Sequence, residues 1–370
     1  MLDLLVVHSP VGGGHKAAAL ALAEAAEARG YRTKVLDLFS LVPKVIGDAY
    51  VGTHLNWTAS SPETYGEAYF AANHRGGPFE PLRLKWDQLL FGALLRAVRA
   101  EAPRAIVATH HLPLVVLGRA RRKGRIAAPV VGIVTDYTAH AVWAERGVDA
   151  FCVGSTLPRE ELAMHGVEPG RIELTGIPVR EAFERIEDVR APAPGEPLRV
   201  LVTSGGFGVG PMQRIVRSFA GVANVELTVV CGKSDALVQS VRRVAADHGV
   251  RAQVVGFETN MPARVRDCHL VVGKAGGLTV SETLTAGRPM LIVGTVPGNE
   301  LLNEAYVVRG GAGCAATPED VGALAQTLRA QTQLERMGAC GRLLVRDQAA
   351  ARVLGVVGRA LSADVACRAA

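Results

Sequence analysis

The stretch Leu4–Gly30, "LLVVHSPVGGGHKAAALALAEAAEARG", decides the fold. Leu2–His8 is a short apolar run that halts just before a proline and three glycines, the signature of a buried strand. Lys16–Arg29 is alanine-rich and closes on Gly30, which predicts a helix with a glycine stop. Thr33–Leu38 reads as a second strand. Strand, glycine loop, helix and strand make a βαβ unit, with parallel pairing and a right-handed crossover.

Further strands are predicted at Ala105–Thr109, Val130–Thr135 and Ala150–Val153. The composition then changes. Ile186–Leu198, "IEDVRAPAPGEPL", holds three prolines and a glycine and reads as a linker. After it the grammar restarts with a strand at Arg199–Thr203, the loop "SGGFGVGP" and a helix. Strands follow at Glu226–Cys231, Gln253–Val255, Leu270–Val272 and Met290–Val293. The expected architecture is α/β, with Rossmann-like domains over residues 1–185 and 199–350, a linker at 186–198, and a helix over 351–370 packing back on the first domain. Open parallel sheets bind ligands outside the carboxyl ends of their strands, so the glycine loops should face a cleft between the two domains.

The composition of the 370 residues suits two folded domains, with 49% hydrophobic and 21% charged. Six cysteines are scattered without a CxxC pair, which argues against a disulfide framework or zinc site and for reduced thiols in a cytoplasm. No basic segment precedes the first apolar run, so it is not a signal peptide. No apolar run approaches the ~20 residues that span a bilayer. The net charge of +6 is uneven: residues 1–135 carry six excess positive charges and 136–190 five excess negative ones. The basic block Arg119–Arg125, "RARRKGR", is either a solvated helix end or a surface for anionic lipid or nucleic acid. Aromatics form only 5% of the chain and none interleaves this block, which argues against a base-stacking surface.

Three glycine-rich stretches carry the candidate chemistry. Gly12, Gly13 and Gly14 can take positive φ and admit a ligand close to the backbone, where the next helix presents unpaired N–H groups. The pattern is neither GxGxxG nor a P-loop. His15 at the helix start has its charged form disfavoured by the dipole, and reads either as a general base or as a structural histidine bonded to nearby backbone. The second loop, Ser204–Gly210, offers N–H donors to a diphosphate. The third, "GKAGGLTVSE" at 273–282, sets paired glycines after a strand and Glu282 one turn into a helix, where a carboxylate can take both hydroxyls of a ribose. The loop Pro297–Asn303, "PGNELLN", brings amides and a carboxylate suited to sugar hydroxyls.

The motifs "SPVGGGHK", "VTDYTAHAVW", "TGIPV", "SGGFGVG", "GFETNM", "GKAGGLTVSETL" and "PGNELLNEAYV", in this order from about Leu4 to Arg309, resemble GT-B glycosyltransferases. The pattern is similar to that of the monogalactosyldiacylglycerol synthases and processive diacylglycerol glucosyltransferases, and more distantly to that of the lipid II-forming GlcNAc transferase. The resemblance implies two Rossmann-like domains facing across a cleft. It also implies a UDP-glucose or UDP-galactose donor on the C-terminal domain, a diacylglycerol-type acceptor on the N-terminal one, inversion, and no metal or cofactor beyond the UDP-sugar co-substrate. By position, Glu282 would bind ribose, Gly276 and Gly277 would flank the diphosphate with Ser204, Gly205, Gly206 and Phe207 opposite, and Phe257 would lie near the uracil. Lys274 would help stabilise the leaving diphosphate. Asn299, Glu300 and Asn303 match the sugar-contacting loop, with Asn299 where the family usually has Gln. His15 matches the base or acceptor-orienting group. Asp136, His140 and Trp143 match a second N-domain motif, in which Asp136 orients His15 or is itself the base, and Trp143 is either a site residue or core. His110 and His111 end a strand and read chiefly as surface or buried hydrogen-bonding residues.

A lipid acceptor requires contact with a bilayer, so the expected location is the cytoplasmic side, peripheral on the inner membrane face. The segment 81–99, "PLRLKWDQLLFGALLRAVR", reads either as an interfacial amphipathic helix on anionic lipid or as a helix buried against the first sheet. Alternatives are a UDP-sugar transferase for a polyprenyl-linked or soluble acceptor, a nucleotide-sugar-binding protein without turnover, and a sugar epimerase. No nucleic-acid partner is expected.

Overall fold

Strand β1 (Leu4–His8) runs parallel to β2 (Thr33–Asp37), with Leu4 opposite Thr33 and His8 opposite Asp37. The helix between them, α1 (Gly13–Glu27), starts three residues before the predicted Lys16. Only Gly12 of the three glycines takes positive φ, at 89°; Gly13 and Gly14 are absorbed into the first helical turn. The computed structural model describes residues 2–74, 90–206, 208, 210–330 and 333–369. These divide into two compact units, 1–181 with 346–370, and 182–345.

The first unit continues with α2 (Lys44–Ser60), α3 (Pro62–Ala71), α4 (Gly92–Glu101), β3 (Ala105–Ala108), α5 (His111–Arg122), β4 (Val130–Ile133), β5 (Ala150–Val153), α6 (Thr156–Met164) and β6 (Ile172–Leu174). Its sheet is wholly parallel, in the order β2-β1-β3-β4-β5-β6. Alternate residues feed two cores, as a strand buried on both faces requires. Leu5, Val7, Ile106 and Phe151 point into one, and Leu4, Val6, Val107 and Cys152 into the other. The second core is roofed by Ala19, Leu22 and Ala26 of α1 and by Val353, Val356 and Val357 of a helix at Ala349–Ala369.

The second unit follows a short helix, α7 (Glu181–Glu184). It comprises β7 (Leu198–Thr203), α8 (Met212–Arg217), β8 (Val225–Val230), α9 (Asp235–Asp247), β9 (Ala252–Val255), α10 (Met261–Arg266), β10 (Leu270–Gly273), α11 (Gly277–Thr285), β11 (Met290–Ile292), α12 (Asn299–Arg309), β12 (Gly313–Ala315), α13 (Val321–Ala330) and α14 (Gln333–Leu344). The sheet is again all parallel, ordered β12-β11-β10-β7-β8-β9. The helix Ala349–Ala369, α15, then returns to the first unit.

Residues 186–197 of the expected linker carry neither helix nor strand, and distant side chains hold them. Arg342 holds Asp188 and Ile186 and donates to the Thr285 carbonyl at 2.8 Å. Glu196 accepts from Arg190, Arg199 and the Ala193 N–H, contacts led by Arg190 that hold its carboxyl well below the usual range. The basic block ends α5 with Arg122, Lys123 and Arg125 exposed, as the solvated-helix-end reading requires, while Arg121 pairs with Asp149 and Asp364, and Arg122 with Glu145. In the segment 81–99, residues 81–89 lie outside the described residues. Its described part buries Phe91, Leu94 and Val98 in the first unit's core, as the buried-helix reading requires. Among the described residues no helix is long and apolar enough to cross a membrane.

Beneath the second sheet, the buried Arg288 donates to the carbonyls of Val265, Cys268, Glu187, Ala286 and Arg266. Arg288→Met would remove the donor from three buried and two partly buried carbonyls and cost about 3 kcal/mol or more, with Arg288→Lys recovering only part. All three tryptophans, 57, 86 and 143, belong to the first unit. In urea, Arg288→Met should therefore lower the far-UV dichroism midpoint while the tryptophan fluorescence transition shifts less.

Candidate functional site

In each sheet the chain reverses its direction of growth once, between β1 and β3 in the first and between β7 and β10 in the second. At such a switch point the loops leaving two neighbouring strands part and open a crevice. The candidate residues gather at these two places.

In the first unit His15 is the third residue of α1. Its Nδ1 lies 2.8 Å from the carbonyl oxygen of Thr109, just past β3, and 2.8 Å from Thr135 Oγ1, just past β4. Thr109 Oγ1 donates back to the His15 carbonyl at 2.9 Å. A carbonyl only accepts, so Nδ1 carries the proton and the lone pair of the neutral ring sits on Nε2. A Cβ on Gly12 would stand 4.0 Å from that Nε2 and 3.8 Å from Cδ2, and the bare glycine leaves this flank open. Burial pushes the His15 pKa below its ordinary value; the Asp136 carboxylate and the Thr109 carbonyl oppose the shift, while His8 and His54 reinforce it. The backbone bond of the structural reading is present, and it leaves Nε2 as the ring's hydrogen-bond acceptor.

Imidazoles crowd this centre. The His110 ring meets His15 edge to face at 4.4 Å and His111 at 4.2 Å. His110 is 4% exposed, caps α5 by accepting from the Leu112 N–H on Nδ1, and has its pKa driven well down by burial. The motif 134–143 folds around the same point. Its Thr138 hydroxyl and Ala139 N–H donate to Glu161 on α6. His140 Nε2 sits 2.9 Å from the Tyr69 carbonyl, and the Ala141 N–H donates to Asn73 at 2.7 Å. Trp143 is buried in the first core, so its core-packing reading holds. His140 anchors the end of α3 to this motif.

In the second unit the loop after β7 and the turn after β8 interlock. Gly205, Gly208 and Gly210 all take positive φ. Gly232, at φ 64°, sits so close that a Cβ there would fall 2.7 Å from the Gly205 carbonyl oxygen and 3.0 Å from the Gly206 oxygen and the Gly208 nitrogen. Ser204, 3% exposed, turns its hydroxyl to the Val230 carbonyl at 3.2 Å and so ties the loop to β8 instead of offering that proton to a ligand. Phe207 lies outside the described residues. Phe257 is 57% exposed, with Lys233 Nζ 5.4 Å from its ring centre.

Across the switch point, Gly276 caps α11 and Gly277 opens it, and a Cβ on Gly276 would meet nothing closer than 3.9 Å. Glu282 is half-buried in the second turn of that helix. Lys274 Nζ lies 3.3 Å from Glu300 Oε1, whose other oxygen accepts from the Val296 N–H at 2.9 Å. Asn299 and Glu300 open α12. Asn303 departs from expectation. It is fully buried at 0% exposed and donates to the Ala275 carbonyl at 2.9 Å, so it braces the glycine loop and presents no amide to a sugar.

Sequence reasoning missed Thr109, Thr135, Glu161 and Gly232. Thr135 and Thr109 each stand next to a flagged residue, Asp136 and His110. Glu161 and Gly232 carried no motif signal. Among the described residues no three His, Cys, Asp or Glu side chains converge to hold a metal. The buried thiols of Cys152 and Cys268 are pushed up to about 12, and Cys231 to about 11, by desolvation, which removes them as nucleophiles.

Residues 15–179 match the family model for monogalactosyldiacylglycerol (MGDG) synthase, and residues 199–336 that for the glycosyltransferase family 28 C-terminal domain. A processive diacylglycerol beta-glucosyltransferase of Bacillus cytotoxicus is 26% identical over 317 residues, covering 84% of this chain and 80% of that protein. Its counterpart in Bacillus thuringiensis is 27% identical over 319 residues, with the same coverage. Among solved structures, MurG of Acinetobacter baumannii aligns with a TM-score of 0.65 at 17% identity, over 97% of this chain and 100% of that one. The S. aureus MnaA-UDP co-structure aligns at 0.62 and 14% identity, over 98% and 97%. Two Rossmann-like sheets with glycine loops at their switch points, matched by these relatives, define a GT-B glycosyltransferase. Its two halves thus match the monogalactosyldiacylglycerol synthase and glycosyltransferase family 28 C-terminal models, and the chain is similar to the processive diacylglycerol beta-glucosyltransferases.

Gly232→Ala should displace the 205–208 backbone. UDP affinity by calorimetry should fall about tenfold, because a β-carbon has no room there at positive φ. Unchanged affinity with intact dichroism would remove the interlocked loops from the nucleotide site.

Proposed function

We propose that this enzyme transfers a hexose, glucose or galactose, from a UDP-sugar to diacylglycerol or a glycosyl-diacylglycerol with inversion at the anomeric carbon. The observation that carries the chemistry is the bond from His15 Nδ1 to the Thr109 carbonyl, which leaves Nε2 as a hydrogen-bond acceptor beside the open flank of Gly12. The acceptor hydroxyl gives its proton to Nε2 as its oxygen attacks the anomeric carbon. The bond from that carbon to the diphosphate breaks, and UDP departs with the electron pair. Asp136 favours the imidazolium formed at that moment, and burial keeps the ring neutral before it.

The second unit is read as the donor site. The N–H groups at the start of α11, next to Gly276 and Gly277, and those of the 205–208 loop suit a departing diphosphate. Lys274 sits beside them, oriented by Glu300. Glu282 is assigned to the ribose, Phe257 to the base, and Asn299 with Glu300 to the sugar. The names of the Bacillus relatives support a diacylglycerol acceptor, and the MnaA-UDP co-structure supports a uridine nucleotide. A lipid acceptor supports peripheral binding on the inner face of the membrane. Exposed Val45, Ile46, Tyr50, Trp57 and Phe70 on α2 and α3 offer apolar contacts for it.

The test is to incubate the chain with UDP-glucose or UDP-galactose and diacylglycerol vesicles and to identify the glycolipid and its anomeric configuration. His15→Ala should lower kcat about 10²–10⁴-fold with UDP affinity preserved, the range for loss of a general base. Glu282→Ala should do the reverse, weakening UDP binding most. Because only neutral His15 accepts a proton and its pKa is lowered, the acid limb of the kcat profile should lie below pH 6.5. Equal loss of kcat and UDP affinity in His15→Ala would overturn the base assignment.

A further inference from the structure

His15 Nδ1 has two oxygen partners at the same 2.8 Å, the Thr109 carbonyl and the Thr135 hydroxyl. One acceptor satisfies the single N–H of a neutral imidazole. A second acceptor gains weight when the ring is protonated, because a cationic N–H is the stronger donor. We infer that Thr135 is a positioning residue for His15, its hydroxyl serving as the second acceptor of the Nδ1 proton and stabilising the imidazolium relative to the neutral ring as the acceptor's proton arrives. This deepens the proposed function and rests on its assignment of His15 as the base.

The surroundings explain the use of a hydroxyl here. Asp136 past β4 favours the cation; His8 at the end of β1 and His54 on α2 oppose it, and the His110 ring packs edge to face. A further carboxylate would add a second negative charge beside the ring and favour its charged form before the acceptor binds. A hydroxyl strengthens with the charge and adds none of its own. Thr135 is 2% exposed, so water has no easy access to replace a deleted hydroxyl. Its position is fixed by the strand end, since Val134 N–H donates to the Cys152 carbonyl at 2.9 Å.

The experiment compares the full chain with Thr135→Val, which keeps the shape and deletes the oxygen, and Thr135→Ser, which keeps the oxygen. With Thr135→Val, kcat should fall about tenfold or more, as for loss of a hydrogen bond to a charged group, with KM for donor and acceptor nearly unchanged. Because the hydroxyl favours the protonated ring, its loss should move the acid limb of the kcat profile to lower pH by roughly half a unit or more. The His15 pKa from an NMR titration of ¹⁵N-histidine-labelled protein should fall with it. Thr135→Ser should restore both. An unchanged His15 pKa in Thr135→Val, or a serine variant as slow as valine, overturns the inference. The titration reads the contact without turnover, whereas full activity in His15→Ala overturns the base assignment itself, so the two failures are distinguishable.

Discussion

The Nδ1 proton of His15 is held at the Thr109 carbonyl, and the chemistry proposed for the first unit depends on that bond. The bond crosses the point where the parallel sheet reverses its growth, from the first turn of α1 to the end of β3. A neighbouring strand's carbonyl at that place is a fixed acceptor, since its backbone is already held by the Thr109 N–H bond to Val7. The ring therefore does not choose its tautomer freely. A backbone atom aims the basic nitrogen, the helix start disfavours its charge, and the absent side chain of Gly12 leaves it room.

The second unit solves a different problem with the same topology. The diphosphate proposed there would be met by backbone N–H groups, which requires main chain to approach main chain without intervening β-carbons. The nesting of Gly232 into the 205–208 loop meets that demand, as does the open approach at Gly276. Buried polar side chains then hold the loops from behind: Ser204 to β8, Asn303 to Ala275, Glu300 to Lys274 and Val296. Ser204, Asn303 and Glu300 were all expected at the ligand, and each makes hydrogen bonds that also brace the backbone or a neighbouring side chain.

Local patterning made much of the fold legible. Strands with four or more consecutive apolar or β-branched residues were located to within about two residues, because burial on both faces writes a continuous run. The three-residue edge strands Ile172–Leu174 and Gly313–Ala315 were missed, since pairing on one side and a sequence such as "GCA" leave no run to read. The start of α1 was misread because glycine is a poor helix former, yet the first turn makes few internal hydrogen bonds and tolerates it. The prolines of 186–198 signalled its irregular path but not that arginines from afar pin it. At the site, motif residues were legible and their partners were not. Glu161, Thr135 and Gly232 matter through neighbours 20 to 120 positions away along the chain, a relation that no local pattern encodes.

The helix at Ala349–Ala369 covers one face of a sheet whose other strands are all made before residue 175. During synthesis, the alanine stripe of α1 and the flanks of β4 and β5 must wait, with part of their apolar surface wet, while the whole of 182–345 is added. The intervening unit has its complete sequence earlier and can close its own core first. The order in which the two cores can be completed on the ribosome therefore runs against the order of the genetic message, and the unit that holds His15 is the last to receive all of its chain.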